Sequence, residues 1–193
     1  MTNTVVGLLR HGQTDWNIDF RLQGITDIPL NSTGIAQAVS AAEALDGADW
    51  DFVASSPLER ARETARIVAE KIGIPEVNIL DLLLERSFGE AEGLTHAEWK
   101  ASFPDGMPPG GESLDELRRR SHELLGKFLE QYRGTRVLAV SHGALIRKLV
   151  RVVSKGELPR EGERFENTSL TILRHSEYGW SVTDYDPRSL SSR

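Results

Sequence analysis

Val5-Val6-Gly7-Leu8-Leu9-Arg10-His11-Gly12-Gln13-Thr14 is the stretch on which the fold turns. Val5 to Leu9 is short, nearly all apolar and partly β-branched, the pattern of a strand buried on both faces in a parallel sheet. The apolar character stops at Arg10 and His11, which places them at the strand's carboxyl end, where open α/β sheets bind ligands. Gly12 lets the backbone turn sharply and leaves room for a bound group. The same device recurs far along the chain. Arg136 to Val140 is a second buried-strand run, ending in Ser141-His142-Gly143. Two such strands are expected side by side and parallel, with both imidazoles at one edge. An arginine and two imidazoles in one crevice suggest an anion site with a candidate nucleophile.

Between these strands the chain alternates helices and strands. Asp15 to Pro29 lacks periodicity and reads as a loop, with Asn17 and Gln23 as ligand contacts or simply turn formers. A helix from about Thr33 to Gly47 carries Ile35, Ala38, Val39, Ala42 and Leu45 on its apolar face. Asp51 to Ala54 reads as a strand. Ser56-Pro57-Leu58-Glu59 then offers a capping box and a first-turn proline, opening a helix that buries Ala61, Ala65, Val68 and Ile72. Arg60 in that first turn opposes the helix dipole. A bound anion would remove the conflict, as would pairing with Glu59 or Glu63, or exposure to water. Val77 to Leu84 reads as a strand or extended segment delivering Glu85, with Glu90 and Glu92 as nearby rivals.

Thr95 and Glu98 form another capping box, for a short helix that Pro104 ends. Asp105 to Glu112 is a glycine- and proline-rich loop. Ser113 opens the longest helix, with Leu114, Leu117, Leu124, Phe128 and Tyr132 on the expected buried side. Its Arg118, Arg119 and Arg120 read as a solvated face, one of them a candidate to reach the variable part of a substrate. Ala144 to Val153 is the helix after the second His-Gly strand. Thr168 to Arg174 and Trp180 to Asp186 read as late strands, with Leu170, Ile172 and Val182 as core, and Arg188 to Arg193 as a frayed tail. The alternation predicts an α/β fold, a three-layer α/β/α sandwich whose mostly parallel sheet has an antiparallel edge strand.

The 193 residues favour one domain with a substantial core. A net charge of −6 argues against nucleic acid and anionic membranes as partners, so attraction to an anionic substrate has to be local. The absence of cysteine removes disulfides, thiolate zinc sites and a cysteine nucleophile. No apolar run approaches the ~18 residues of a membrane span, and the amino terminus lacks a signal-peptide layout, so the expected compartment is the cytoplasm. Asn167-Thr168-Ser169 matches a glycosylation sequon, read as chance in that compartment. There is no P-loop motif and no helical histidine pair for a metal, and Asp184-Tyr185-Asp186 resembles an aspartate-nucleophile motif only superficially.

The motifs together resemble the histidine phosphatase superfamily, in its phosphoglycerate-mutase-like branch. The likeness runs from Leu8 to Asn17 through Arg21-Leu22-Gln23-Gly24, Leu30 to Gly34 and Ser55 to Ala61, then through Glu85 to Gly89 and Ser141-His142-Gly143. It covers most of the chain and implies a single domain over residues 1–193. It further implies His11 as the phosphate-accepting nucleophile, Glu85 as proton donor, and Arg10, Arg60 and His142 as charge-stabilising catalytic groups. Arg10, Asn17, Gln23, Gly24, Arg60, His142 and Gly143 are then the substrate-binding set, with no metal and no cofactor.

The implied reaction is hydrolysis of a small phosphorylated metabolite through a phosphohistidine. The rival is a phosphoglycerate mutase using the same intermediate. Mutases of the family look longer between the proton donor and the arginine-bearing helix, whereas Glu85 to Ser113 is short here. A non-catalytic phospholigand or protein-binding module would show degraded catalytic positions, and none of Arg10, His11, Arg60, Glu85 or His142 is replaced.

Overall fold

β1 (Thr4–Arg10) is buried along nearly its whole length, as its apolar run requires. Its parallel partner is β4 (Arg136–Ser141), in a register that sets Val5 against Arg136 and Arg10 against Ser141. The computed structural model describes residues 3–104, 106 and 108–192, so Asp105 and Met107 of the predicted 105–112 loop and Arg193 of the predicted tail lie outside the described residues. The remaining strands are β2 (Phe52–Ser55), β3 (Val77–Ile79), β5 (Ser169–Ser176) and β6 (Gly179–Ser189). One six-stranded sheet results, in the order β3-β2-β4-β1-β5-β6. The β1, β2, β3 and β4 pairings are parallel, while β5 runs antiparallel to β1 and β6 antiparallel to β5. The expected antiparallel edge is thus a two-stranded hairpin.

Alternate residues of the central strands feed two cores. Val6, Leu8, Val137 and Ala139 pack beneath α5 (Leu114–Gln131) and α6 (Gly143–Val153). Val5, Leu9, Leu138 and Val140 pack beneath α2 (Ser32–Leu45) and α3 (Glu59–Lys71). Helices on both faces of a sheet make the predicted three-layer sandwich. No helix among the described residues is long and apolar enough to cross a membrane.

Several local expectations are corrected. Asp15–Ile18 is a one-turn helix, α1, inside the predicted loop, because Thr14 and Asn17 form their own capping box. In α2 the buried face is Gly34, Ala38, Ala41, Ala42 and Leu45, while Ile35 and Val39 are each 45% exposed. The small residues face inward because α2 approaches its neighbours closely. Leu114 is likewise outside, 57% exposed at the first turn of α5. The Val77 to Leu84 segment pairs only over β3 and then coils into a 3₁₀ turn at Asp81–Leu83. In the late strands Leu170 is buried as expected and Leu173 fully so, while Ile172 and Val182 are only partly buried against the two cores. Residues 188–192 are not frayed: β6 continues to Ser189, and Leu190 is buried against the second core.

The contact that ties the β1 loop to α2 is made by backbone. A Cβ at Gly12 would lie 2.4 Å from the Gly34 carbonyl, and one at Gly34 would lie 2.1 Å from the Gln13 carbonyl. The same Gln13 oxygen accepts the Asn31 N–H at 3.1 Å. Gly34→Ala is therefore expected to cost about 1–3 kcal/mol of stability by forcing these backbones apart. A shift in the urea midpoint at unchanged m-value measures it, and an unmoved midpoint would contradict the contact.

Candidate active site

The register of β1 and β4 delivers the two His-Gly turns to one edge. His11 N–H donates to Ser141 O at 3.0 Å, and the His11 and His142 ring centroids are 5.1 Å apart. Arg10, His11, Asn17, Gln23, Gly24, Arg60, Glu85 and Gly143 all border one cavity of about 650 Å³, and His142 is fully buried beside His11. The structure brings together every residue that the sequence reading singled out for the site.

His11 Nδ1 lies 2.6 Å from the carbonyl of Gly12. A carbonyl only accepts, so Nδ1 carries the proton and Nε2 the lone pair. Burial, followed by the charges of Arg60 and Arg10, holds the imidazole pKa well below its usual value. The result is a neutral ring with a free Nε2. His142 is lowered in the same way, by burial first and then Arg60, His11, Arg10 and Arg120. Its Nε2 pairs with Ser56 Oγ at 2.8 Å.

Arg60 is 0% exposed, although it opens a helix. Neither Glu59 nor Glu63 neutralises it; Glu63 and Glu70 bind Arg66 instead. Its Nη1 donates to Thr26 O and its Nη2 to Gly24 O, each at 2.8 Å. Burial lowers its pKa to about 10, opposed by the charges of Glu85, Asp27 and Glu92. Arg10 donates through Nη1 to Phe165 O, and a Cβ on Gly143 would sit 3.6 Å from its Nε. Arg10 Nε, Arg60 Nε and His142 Nδ1 are all buried with no hydrogen-bond partner among the described residues. Buried polar groups are rarely left so. These three nitrogens, with the Gln23 Oε1 acceptor as a fourth buried atom of the site without a partner, describe a receptor for a polar ligand rich in acceptors.

Glu85 stands at the start of α6, where its carboxylate accepts N–H groups from Ala144 (3.0 Å), Leu145 (3.1 Å) and Arg86 (2.8 Å). It supplies the cap that His142, the N-cap residue, does not. The segment carrying Glu85 is held by Arg120, which donates to Leu82 O, Leu84 O and Glu85 O and pairs with Glu112 at 2.6 Å. Arg120 therefore supports the site from behind. Arg118 and Arg119 are outside and pair with Asp115 and Glu116 on their own helix.

Ser56 forms no capping box. Its hydroxyl is committed to His142, α3 starts at Glu59 after Leu58, and Asp27 Oδ1 takes the Glu59 N–H at 2.7 Å in its place. Gly12 N–H donates to Thr64 Oγ1 at 3.0 Å. Asn167 is the principal residue the sequence reading missed as a site member: its Nδ2 donates to His11 O at 2.9 Å and to Asn17 Oδ1 at 3.2 Å. The only signal it offered was a sequon, which pointed elsewhere. Trp16, Phe20, Phe88, Phe165, Arg147 and Arg164 complete the outer walls of the cavity. Among the described residues no group of three or more His, Cys, Asp or Glu side chains is poised to hold a metal.

The sequence and fold have known counterparts. The sequence profile of the histidine phosphatase superfamily (branch 1) matches residues 6–186. An uncharacterized phosphatase, PhoE, of Bacillus subtilis is 39% identical over 186 residues, spanning 96% of either chain. A probable phosphoglycerate mutase, GpmB, of Salmonella choleraesuis is 34% identical, over 93% of this chain and 89% of the relative. A phosphoserine phosphatase of Entamoeba histolytica, solved in complex with 3-phosphoglyceric acid, superposes with a TM-score of 0.83 at 30% identity, covering 97% of this chain and 99% of that one. With the paired His-Gly strand ends, the two buried arginines and the helix-capping glutamate in one cavity, the chain is an enzyme belonging to the histidine phosphatase superfamily, branch 1.

Proposed function

We propose that this chain is a phosphomonoester hydrolase acting on small phosphorylated metabolites through a phosphohistidine at His11, with residues 1–193 working as one domain. The observation that carries the reading is the trio of buried, unpartnered nitrogens, Arg10 Nε, Arg60 Nε and His142 Nδ1, beside a neutral His11. Transfer of a phosphoryl group demands in-line positioning and stabilised charge on the equatorial oxygens. Guanidinium groups keep that charge through the neutral pH range, so the clamp needs no metal. Ser56 Oγ–H donating to His142 Nε2 leaves Nδ1–H for a phosphate oxygen.

In the first step His11 Nε2 attacks phosphorus, the P–O ester bond breaks, and Glu85 in its acid form protonates the departing oxygen. In the second, Glu85 as carboxylate takes a proton from water while the water oxygen attacks phosphorus. The N–P bond then breaks, releasing inorganic phosphate and neutral His11. A mutase has to keep its intermediate from water. Between Glu85 and Ser113 the described residues offer only a 3₁₀ turn and the short α4 (His96–Ser102), of which Phe88 and His96 border the cavity, a slight cover that favours hydrolysis. The phosphatase relative at higher identity agrees in kind, while the mutase relative supplies the contrary outcome.

His11→Ala is expected to abolish turnover in a normally folded protein, and neutral quenching of the wild type during turnover should trap phosphate on His11 by mass spectrometry. Retained activity in the variant refutes the nucleophile. A second expectation concerns products: several phosphomonoesters should yield inorganic phosphate in EDTA and without a bisphosphoglycerate primer. Glu85→Gln should slow poor leaving groups by ~10²–10⁴-fold and good ones far less. Primer-dependent interconversion of phosphoglycerates with little phosphate released would make the protein a mutase.

The pH profile supplies a further check. Because the His11 pKa is depressed, the attacking imidazole stays neutral as pH falls toward its ordinary value, and the acid limb it controls moves to lower pH. Corrected for the substrate's own phosphate ionisation at about pH 6, kcat/KM should show no fall from roughly pH 7.5 to 6.5, the ordinary imidazole range. A loss in that window assigned to His11 would overturn its neutral state.

A further inference from the structure

Glu92, one of the two rivals of Glu85 on sequence grounds, does not border the cavity. Its carboxylate is filled by donors from two segments. Oε1 accepts Ile25 N–H at 3.1 Å and Phe88 N–H at 3.0 Å, and Oε2 accepts Thr26 N–H at 2.9 Å and the Thr26 hydroxyl. Set off from the cavity that Glu85 borders, Glu92 is not placed to give a proton to a ligand bound there. Glu90, its neighbour, is exposed.

The turn that Glu92 holds is the one that holds Arg60. Thr26 N–H closes the turn on Gln23 O at 3.0 Å, and the carbonyls of Gly24 and Thr26 face the Arg60 guanidinium. Gly24 C=O and Ile25 N–H belong to one peptide plane. That plane thus spans a carboxylate on one side and a guanidinium on the other, Glu92 Oε1 to Arg60 Nη2. Hydrogen bonds in such a chain polarise one another. The carboxylate reaches into the turn itself: Gly24 has φ 54°, and a Cβ there would lie 1.9 Å from Glu92 Oε1. Only glycine fits while Glu92 is in place.

We propose that Glu92 is the positioning residue for Arg60, fixing through the Gln23–Thr26 turn the two carbonyls that orient the guanidinium and leave its Nε toward the phosphate. This rests on the reading of Arg60 as a phosphate clamp. The charged groups acting on Arg60 are Glu85, Asp27 and Glu92, which favour its cationic form, and Arg10, which opposes it, while burial lowers its pKa to about 10. Loss of the Glu92 charge removes one of the three supports and lowers that pKa further.

The test is a double-mutant cycle of Glu92→Gln and Arg60→Gln, with Glu90→Gln as the control expected to behave as wild type. Inhibition by inorganic phosphate, kcat and KM, the alkaline limb of kcat/KM and thermal unfolding are measured for each. Glu92→Gln should weaken phosphate inhibition about tenfold or more and cut kcat/KM ~10²-fold, the scale of a small misplacement in a catalytic site. Its alkaline limb should move to lower pH, and its effect should largely vanish in the Arg60→Gln background. Should Glu92→Gln fail to fold, Thr26→Val, which deletes one donor to the carboxylate, is expected to shift the same readouts in the same direction by less. Arg60→Gln weakening phosphate inhibition while the Glu92 or Thr26 variant leaves both inhibition and limb unmoved would overturn the role of Glu92 alone, whatever its unfolding temperature. Phosphate inhibition unmoved by Arg60→Gln would bring down the clamp and this inference together.

Discussion

The parallel pairing of β1 with β4 is the constraint on which the site depends. Once Arg10 stands against Ser141, the next residue of each strand is a histidine, and the ladder fixes the two backbones that bring their rings to 5.1 Å. Both strands are central and buried on both faces, so a slip by one residue would exchange their two cores. The spacing of the imidazoles is thereby defended by the hydrophobic effect acting on Val5 to Leu9 and Val137 to Val140. Chemistry at the sheet edge inherits the rigidity of the sheet's middle.

Around that pair the protein solves a harder problem, the burial of two guanidinium groups. A buried charge without compensation costs several kcal/mol. Here the compensation comes from main-chain carbonyls, Phe165 O for Arg10, and Gly24 O and Thr26 O for Arg60, with carboxylates contributing from further out. Carbonyls occupy some donors without neutralising the charge. A carboxylate locked onto each guanidinium would stabilise the resting protein and compete with the ligand. The arrangement leaves guanidinium nitrogens without a partner beside the cavity, within a chain whose overall charge is −6.

The acidic residues divide the remaining labour. Glu85 borders the cavity and caps α6, so its carboxylate is aligned by the helix that His142 and Gly143 begin. Glu112 binds Arg120, which holds the carbonyls on either side of Glu85. Glu92 fills the turn beneath Arg60. Each of these contacts joins the 85–112 segment to a different wall of the site, so this one stretch couples Glu85 to the turn that holds Arg60.

Local physics made part of this legible in the amino-acid order alone. Buried strands ending in His-Gly, the capping box at Thr95, the helix start at Ser113, and the helix faces of α3 and α5 depend on neighbours within a few residues, and these were read correctly apart from Leu114 and the partly buried Ile72. The resemblance carried by the motifs supplied the family and the site set. Roles created by distant contacts were not legible. Ser56 was read as a helix cap because its sequence neighbours fit one, yet its hydroxyl lies against His142, 86 positions away. Asn167 reaches back 156 residues to the His11 carbonyl, and Ile35 and Val39 were misassigned because the approach of Gly34 to Gln13 sets the rotation of α2. Glu92 and Arg120 sat in plain view as charges, but a charge carries no spacing signal for the backbone groups it will bind. Sequence by itself determined which chemical groups were available and which strands would present them; the tertiary structure decided their partners, because a hydrogen bond recognises distance and angle in space and is indifferent to separation along the chain.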